Sequence, residues 1–456
     1  MASRVARVAL VILQAAVVKA VGASRFAAEG REYFKSYCNH ERRWTGPPVK
    51  GTSLEQVLLV HRHGARTPWQ RVSCWAPAPG EAPRELDFTC PMKMSVGIAG
   101  RRPVRKVYSD RGQCGIGSLL PEAAEQFEAV AASLNATYGN VPWWRTLNPA
   151  DETSVHLYSC DNERNLGSID LLVTSLFPES RGLLSVHTLP PDTDPWQLPD
   201  HVWSSPCPQL FPDVKLREAI VVNESYLDFK RRWRIAANAN WHVDHYDCVL
   251  TARCSGAAFP ENVSSELAHE GLYWDFQENF ASKIEWTSVQ AARAMTALLD
   301  RLVSQAQGDG VRLGIYSTHD TTMMWILRAL DAWDGRWIRY AGVVAFELHK
   351  LDGRHFVRLL SNGEPLIARS CGNEELCPLD NFTQIVRRWS EAAALCLAPA
   401  ALDILAESSS LPATYGPDAA LLAIPAGLCL CLLLGWVHRW QSARLSRGVT
   451  SRPLLG

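Results

Sequence analysis

The sequence predicts an α/β fold with a mainly parallel central sheet, flanking helices, an inserted and mostly helical cap, and a C-terminal transmembrane helix. Three observations carry that expectation. Val57-Leu58-Leu59-Val60 is an apolar run without polar alternation, which suits a strand buried on both faces, as in a parallel sheet. A second short apolar stretch, Leu313 to Tyr316, follows a long amphipathic segment. Strands alternating with helical stretches argue for layered α/β architecture. Near the end, Ala419 to Val437 holds 19 residues without a charge, rich in Leu and Ala. At 1.5 Å per residue that is ~28 Å, close to the thickness of a bilayer core.

From the start of the chain, residues 1–23 read as a secretory signal peptide. Arg4 and Arg7 precede an apolar stretch from Val8 to Val18, and Val21-Gly22-Ala23 offers small residues for cleavage. Lys19 interrupts the apolar stretch and no acid precedes Glu29, so a mitochondrial presequence remains an alternative. The main domain is placed at 24–401. In it, Gln56 to Val60 runs into His61-Arg62-His63-Gly64. Pro121 to Leu134 shows helical spacing with Pro121 near its start, and Leu166 to Leu176 ends at Phe177-Pro178. Residues 178–275 are rich in Trp, Pro and His and lack clear strands; they read as a helical cap inserted into the α/β domain. Trp286 to Gln307 is a long amphipathic helix closed by Gly308 and Gly310. The strand at Leu313–Tyr316 leads to His319-Asp320 and a helix from Thr321 to Leu330.

The remainder is a stalk at 402–418, the span at 419–437 and a tail at 438–456. His438, Arg439, Arg444, Arg447 and Arg452 follow the span, with no acid after Asp418. The positive-inside rule puts that tail in the cytoplasm and gives type I topology, with the body in a secretory or lysosomal lumen or outside the cell. A buried core helix is the alternative for the span. A lipid-anchor signal fits less well, because it would end at the apolar run.

The 456 residues are 47% apolar and 20% charged, which excludes a largely disordered chain. Lys and Arg number 46 against 47 Asp and Glu. That balance gives no basic field, so nucleic acid is not an expected partner. Four sequons, at Asn135, Asn223, Asn262 and Asn381, and eleven of the thirteen cysteines precede the span, as a glycosylated, disulfide-bonded luminal domain would have them. Cys248 with Cys254 and Cys371 with Cys377 are the expected local pairs, with one thiol left over. Cys429 and Cys431 lie in the span.

The chemistry gathers at the ends of the two best strands. Arg62 and Arg66 flank His63 at i−1 and i+3. Arginine forks match phosphate oxygens bidentately, and their charge disfavours protonation of His63, keeping it nucleophilic at low pH. Gly64 allows a close backbone approach. Attack by His63 on phosphorus would give a phosphohistidine, Asp320 would supply the leaving group's proton, and His319 would donate to phosphoryl oxygens. No metal and no cofactor are called for, because the arginines carry the charge stabilisation.

These residues resemble a known family. Arg62-His-Gly-Ala-Arg-Thr-Pro68 matches the Arg-His-Gly-x-Arg-x-Pro signature of the histidine acid phosphatases, within the histidine phosphatase superfamily. His319-Asp320 matches their strand-end pair. Gly117-Ser-Leu-Leu-Pro-Glu-Ala-Ala-Glu-Gln126 is similar to a helix start in the family, with Leu120 for its Thr and Ala123 for its second Gly. Ser370-Cys371 to Cys377-Pro-Leu-Asp380 is similar to a disulfide loop of the lysophosphatidic-acid phosphatase branch. The resemblance runs from about Leu54 to Cys396. It implies His63 as nucleophile, Arg62, Arg66 and His319 on the phosphate, Asp320 as proton donor, and a small phosphomonoester as substrate, including a lysophospholipid. One departure stands out: aligning Ser159, Asp161 and Arg164 with the family's Arg-Ser-Thr-Asp-x-x-Arg-Thr leaves Tyr158 where its leading Arg, taken as a third phosphate ligand, would stand. That motivates an alternative, a catalytically weakened phosphatase-like binding protein.

His242, His245, Cys248 and Cys254 have ligand-type spacing, but core or surface histidines plus a disulfide explain them better than zinc does. Of the 17 tryptophans, most read as packing; Trp69, just after the signature, is a candidate for the pocket wall.

Overall fold

The computed structural model describes residues 38, 44, 49–68, 96–98, 117–179, 184–190, 193–197, 224–236, 245–255, 262–264, 266–268, 270–271, 274, 284–333, 337–391 and 393–394. The chain divides into two compact units, Met1–Cys396 and Leu397–Gly456. Every described residue lies in the first. The leader, the apolar span, its basic tail, Asn223 and Trp69 fall outside the described residues. Among the described residues no helix is long and apolar enough to cross a membrane.

In chain order the elements are β1 (Ser53–Arg62), β2 (Val96–Ile98), α1 (Glu122–Tyr138), β3 (Val155–Ser159), α2 (Glu163–Leu176), β4 (Leu184–Val186), α3 (Glu224–Ala236), α4 (His245–Ser255), α5 (Ile284–Ala306), β5 (Leu313–Thr318), α6 (Asp320–Ala329), β6 (Val343–Leu351), β7 (Arg354–Ser361), β8 (Glu364–Leu366) and β9 (Leu376–Pro378). The main sheet has the order β3-β5-β1-β6-β7-β8, with β9 on β7. Its core, β3-β5-β1, is parallel, with Val57 opposite Leu313 and Arg62 opposite Thr318. The other half is antiparallel. Its hairpins turn at Asp352-Gly353 and Asn362-Gly363, where φ is positive at each residue, as two-residue hairpin turns demand.

The apolar run of β1 is buried on both faces. Val57 and Leu59 pack with α1 and α2 residues such as Phe127 and Ile169, while Leu58 and Val60 pack with Met295 and Leu298 of α5 and Met324 of α6. Each such side chain stabilises the fold by ~1.5–3 kcal/mol on burial. The result is a helix–sheet–helix sandwich. The level register of β1, β5 and β3 brings their carboxyl ends to one crevice, where open α/β sheets bind ligands.

Two expectations need correction. Residues 178–275 contain a strand, β4, which pairs in parallel with β2; at three residues it is too short to show a period. Helices α3 and α4 also lie in that range. Cys254 bonds to Cys38, not to Cys248, and Cys248 is itself disulfide-bonded. The reason is geometric. Both Cys248 and Cys254 sit on α4, where six residues advance the axis by ~9 Å, beyond the Cα separation of up to about 7 Å that a disulfide spans. Cys371 and Cys377, joined by a short turn, do pair. Among the described cysteines Cys160 is the free thiol, and it is buried.

Candidate active site

Strand β1 delivers Arg62 at its last position and His63 just past it. Both are almost fully buried, at 1% and 2% exposure. The loop that follows is zipped onto residues 117–120: Thr67 N–H donates to Ser118 O, Leu120 N–H to Ala65 O, and Gly117 N–H to Pro68 O. Gly64 is required here by a helix. A Cβ on it would lie 2.5 Å from the Cβ of Ala123 in the first turn of α1.

His63 Nδ1 lies 2.9 Å from Gly64 O. A carbonyl can only accept, so Nδ1 carries the proton and Nε2 keeps its lone pair. Burial, then the charges of Arg62, Arg164 and Arg66, then His319, hold His63 well below the ordinary histidine range. It stays an unprotonated nucleophile under acidic conditions. The ring of His319 stands edge-on to it at 5.8 Å.

Arg62 donates to Ile338 O at 2.7 Å, pairs with Asp320 Oδ2 at 2.7 Å, and lies 4.3 Å over the Tyr340 ring. Arg66 reaches Asp247 Oδ2 at 2.9 Å. Asp247 comes from α4, and Thr251 of that helix donates to Arg66 O. Asp320 opens α6; Trp337 Nε1–H donates to its Oδ2 at 2.7 Å and Thr321 N–H to its Oδ1 at 2.8 Å. Burial by itself raises the Asp320 carboxyl, but Arg62, the Trp337 hydrogen bond, His319 and Arg66 outweigh it and hold it below the usual carboxylate range. His319 is driven down by burial and by Arg164, Arg66 and Arg62, against the opposing pull of Asp320.

The structure thus brings together His63, Arg62, Arg66, His319 and Asp320 from two distant stretches of sequence. It separates Tyr158 from them. The Tyr158 hydroxyl donates to Asp194 Oδ1 at 2.7 Å, in a buried cluster with Trp196 and Tyr316. Burial and Asp194 push that hydroxyl's pKa up. The cation that acts on His63 from this side is Arg164, in the first turn of α2. Its backbone is tied to the nucleophile loop, because Gly64 N–H donates to Ser168 Oγ and Ser168 Oγ donates to Arg164 O. Asn162, the N-cap, is 3.3 Å from His319 Nε2. Burial and Arg66 lower Arg164 to about 10, so it remains a cation. The sequence held a signal for it: an Asn N-cap right after a buried strand aims a helix N-terminus, and its first-turn side chains, at the strand ends.

Three further residues, Asp247, Trp337 and Tyr340, contact the site from outside both motifs. Among the described residues no cluster of His, Cys, Asp or Glu could hold a metal ion, and the disulfides of Cys248 and Cys254 occupy two of the possible zinc ligands. Asn135, Asn262 and Asn381 are exposed.

An arginine-ringed buried histidine and a His-Asp pair at the ends of adjacent parallel strands make a positively charged pocket suited to an oxyanion on an α/β scaffold. Comparison with known proteins shows what the chain is similar to. Residues 204–362 match the family model of the histidine phosphatase superfamily (branch 2), the superfamily that the motifs resemble. The chain is 25% identical to the lysophosphatidic acid phosphatase type 6 of Mus musculus over 406 residues, covering 78% of this chain and 92% of that protein. It is 22% identical to the lysosomal acid phosphatase of Rattus norvegicus, covering 74% and 78%. Among solved structures, the Citrobacter braakii phytase superposes with a TM-score of 0.53 at 14% identity, over 75% of this chain and 99% of that one; this likeness speaks to the fold.

Proposed function

We propose that the chain is an acid phosphatase that hydrolyses phosphomonoesters through a phosphohistidine. The observation that carries this is the state of His63: buried, its Nδ1 proton fixed on Gly64 O, its Nε2 lone pair available, and three arginine charges acting on it. The ester phosphate sits among Arg62, Arg66 and Arg164, and His63 Nε2 attacks phosphorus. The P–O ester bond breaks, and its electron pair leaves on the alkoxide, which takes a proton from Asp320. Water then attacks the phosphohistidine, giving its proton to the Asp320 carboxylate, and orthophosphate and free His63 result.

Asp320 must gain a proton before it can act as acid, although Arg62 holds it ionised. The substrate resolves this. A phosphate dianion takes up the charge of Arg62 and places negative charge beside the carboxylate, and both effects raise the carboxyl's pKa.

The case for a weakened binding protein rests on a missing cation at Tyr158. Arg164, in register with the family's second arginine, still places a third arginine charge on His63, and the phosphatase reading is preferred on that ground. The lysophosphatidic acid and lysosomal acid phosphatase relatives support a luminal or secretory location and make a lysophospholipid a substrate to test. The apolar span with its basic tail supports a type I anchor, and the exposed Asn135, Asn262 and Asn381 support glycosylation.

The test is phosphate release at acidic pH from a panel of lysophosphatidate, sugar phosphates and inositol phosphates, with His63→Ala as control. Turnover that survives His63→Ala, or a wild type that hydrolyses no member, rejects the reading. Truncation before Asp418 should yield a soluble, secreted, glycosylated form.

A further inference from the structure

The segment 337–341 belongs to neither motif, yet it touches the nucleophile, one of its arginines and the acid. Trp337 donates to Asp320, Ile338 O accepts from Arg62, the Tyr340 ring lies under that guanidinium, and Ala341 N–H donates to His63 O at 3.0 Å. One short stretch therefore holds the nucleophile loop and the acid in a common frame.

We propose that Trp337 is the positioning residue of the general acid, fixing which oxygen of Asp320 carries the transferable proton. The proposal rests on the acid role given to Asp320 above. Oδ2 receives two strong donors, the Arg62 guanidinium and the Trp337 indole, each at 2.7 Å. Among the described residues Oδ1 receives the Thr321 N–H alone, at 2.8 Å. A proton on Oδ2 would have to displace one of two donors, while Oδ1 can take it and still accept from the backbone. The proton therefore resides on Oδ1. When phosphate draws Arg62 away, Trp337 is the side-chain donor that keeps Oδ2 in place and so keeps Oδ1 aimed at the leaving oxygen. Phenylalanine fills similar space and cannot donate.

The test is Trp337→Phe in the full chain, with pH–rate profiles on an alkyl phosphate and an activated aryl phosphate. A hydrogen bond to the ionised form lowers a carboxyl pKa. Its loss should move the alkaline limb of kcat/KM upward by about one pH unit. Because an activated leaving group needs little acid help, alkyl-ester kcat should fall about tenfold or more while aryl-ester kcat stays within about threefold. An unmoved limb with equal losses on both esters would overturn the role of Trp337. A wild type inert on both esters would sink the acid role of Asp320, and this proposal with it. Should Trp337→Phe fail to fold, indole ¹⁵N–¹H spectra of the full chain decide: one downfield indole signal must shift in Asp320→Asn, and no responding indole overturns the contact.

Discussion

The two ends of β1 bury charge in opposite ways. At its amino end, Glu347 is surrounded by donors: His349 at 2.9 Å, Arg358 at 3.1 Å and the Tyr138 hydroxyl at 2.7 Å. Arg358 also reaches Glu375, and Thr52 meets the other nitrogen of His349. Each charge there has its complement inside the protein. At the carboxyl end, the leading charges that act on His63 are those of Arg62, Arg164 and Arg66, and the carboxylates on Arg62 and Arg66 come from α6 and α4. The first arrangement is finished without a ligand. In the proposed reaction the second gains a further complement from the substrate's phosphate. The residue types are alike, and the sign balance separates a buried network that stabilises from one that binds.

The comparison breaks most visibly at Arg358. Arg358→Met leaves Glu347 buried without its cation and should cost about 3–5 kcal/mol of stability, read by chemical denaturation, with kcat per folded molecule unchanged. A loss of activity without a loss of stability would erase the distinction. Arg164→Met should do the reverse. Removing one charged contact to the transferring phosphoryl group should lower kcat/KM ~10²–10³-fold, with orthophosphate inhibition weakened in parallel. Stability should hold or rise, because Arg164 is buried beside Arg66. Tyr158→Phe sharpens the contrast at a smaller scale: about 1 kcal/mol of stability from the bond to Asp194, and kcat/KM within about threefold. Tyr158→Arg should bring no rise in kcat/KM.

The smallest effect is in pH. Burial raises the Glu347 carboxyl, but the His349 hydrogen bond and charge, the Tyr138 hydrogen bond and the Arg358 charge bring it below 4.5. A depressed carboxyl stabilises the fold above its unfolded pKa, and that stability is lost as pH falls through the folded value. Glu347→Gln should therefore flatten the melting-temperature profile below about pH 4.5 relative to wild type. A parallel profile would show that Glu347 titrates alike in both states.

How much of this was legible depended on range. His63, Arg62 and Arg66 are contiguous and follow an apolar run, so strand, turn and chemistry could be read in one window. Gln56–Val60 and Leu313–Tyr316 likewise gave the parallel half of the sheet. The antiparallel half carried its own marks, Asp352-Gly353 and Asn362-Gly363, between β-rich stretches, and these went unused. Arg164 lies in the motif beside Tyr158, but register against a motif ranks positions without showing where side chains point. Asp247 and Trp337 had no local mark. Each meets its partner through tertiary packing: Asp247 lies 181 residues from Arg66, and Trp337 approaches from a loop. The pairing of Cys38 with Cys254, 216 residues apart, is of the same kind.

The contact between Gly64 and Ala123 has a consequence for how this site can change over evolution. At the crossing of the nucleophile loop and the first turn of α1, a Cβ on residue 64 would meet the Ala123 methyl at 2.5 Å, the Ala123 Cα at 3.1 Å and the Phe127 ring at 3.2 Å. A side chain gained at 64 requires the methyl at 123 to go and the Phe127 ring to give way, so these positions share a crowded slot. Ala123→Gly opens the slot and Ala123→Val overfills it. The second would press on the backbone beside His63 from a helix with no part in the chemistry. Rate in this enzyme is thus open to tuning by volume at a distance, with every charged group left in place.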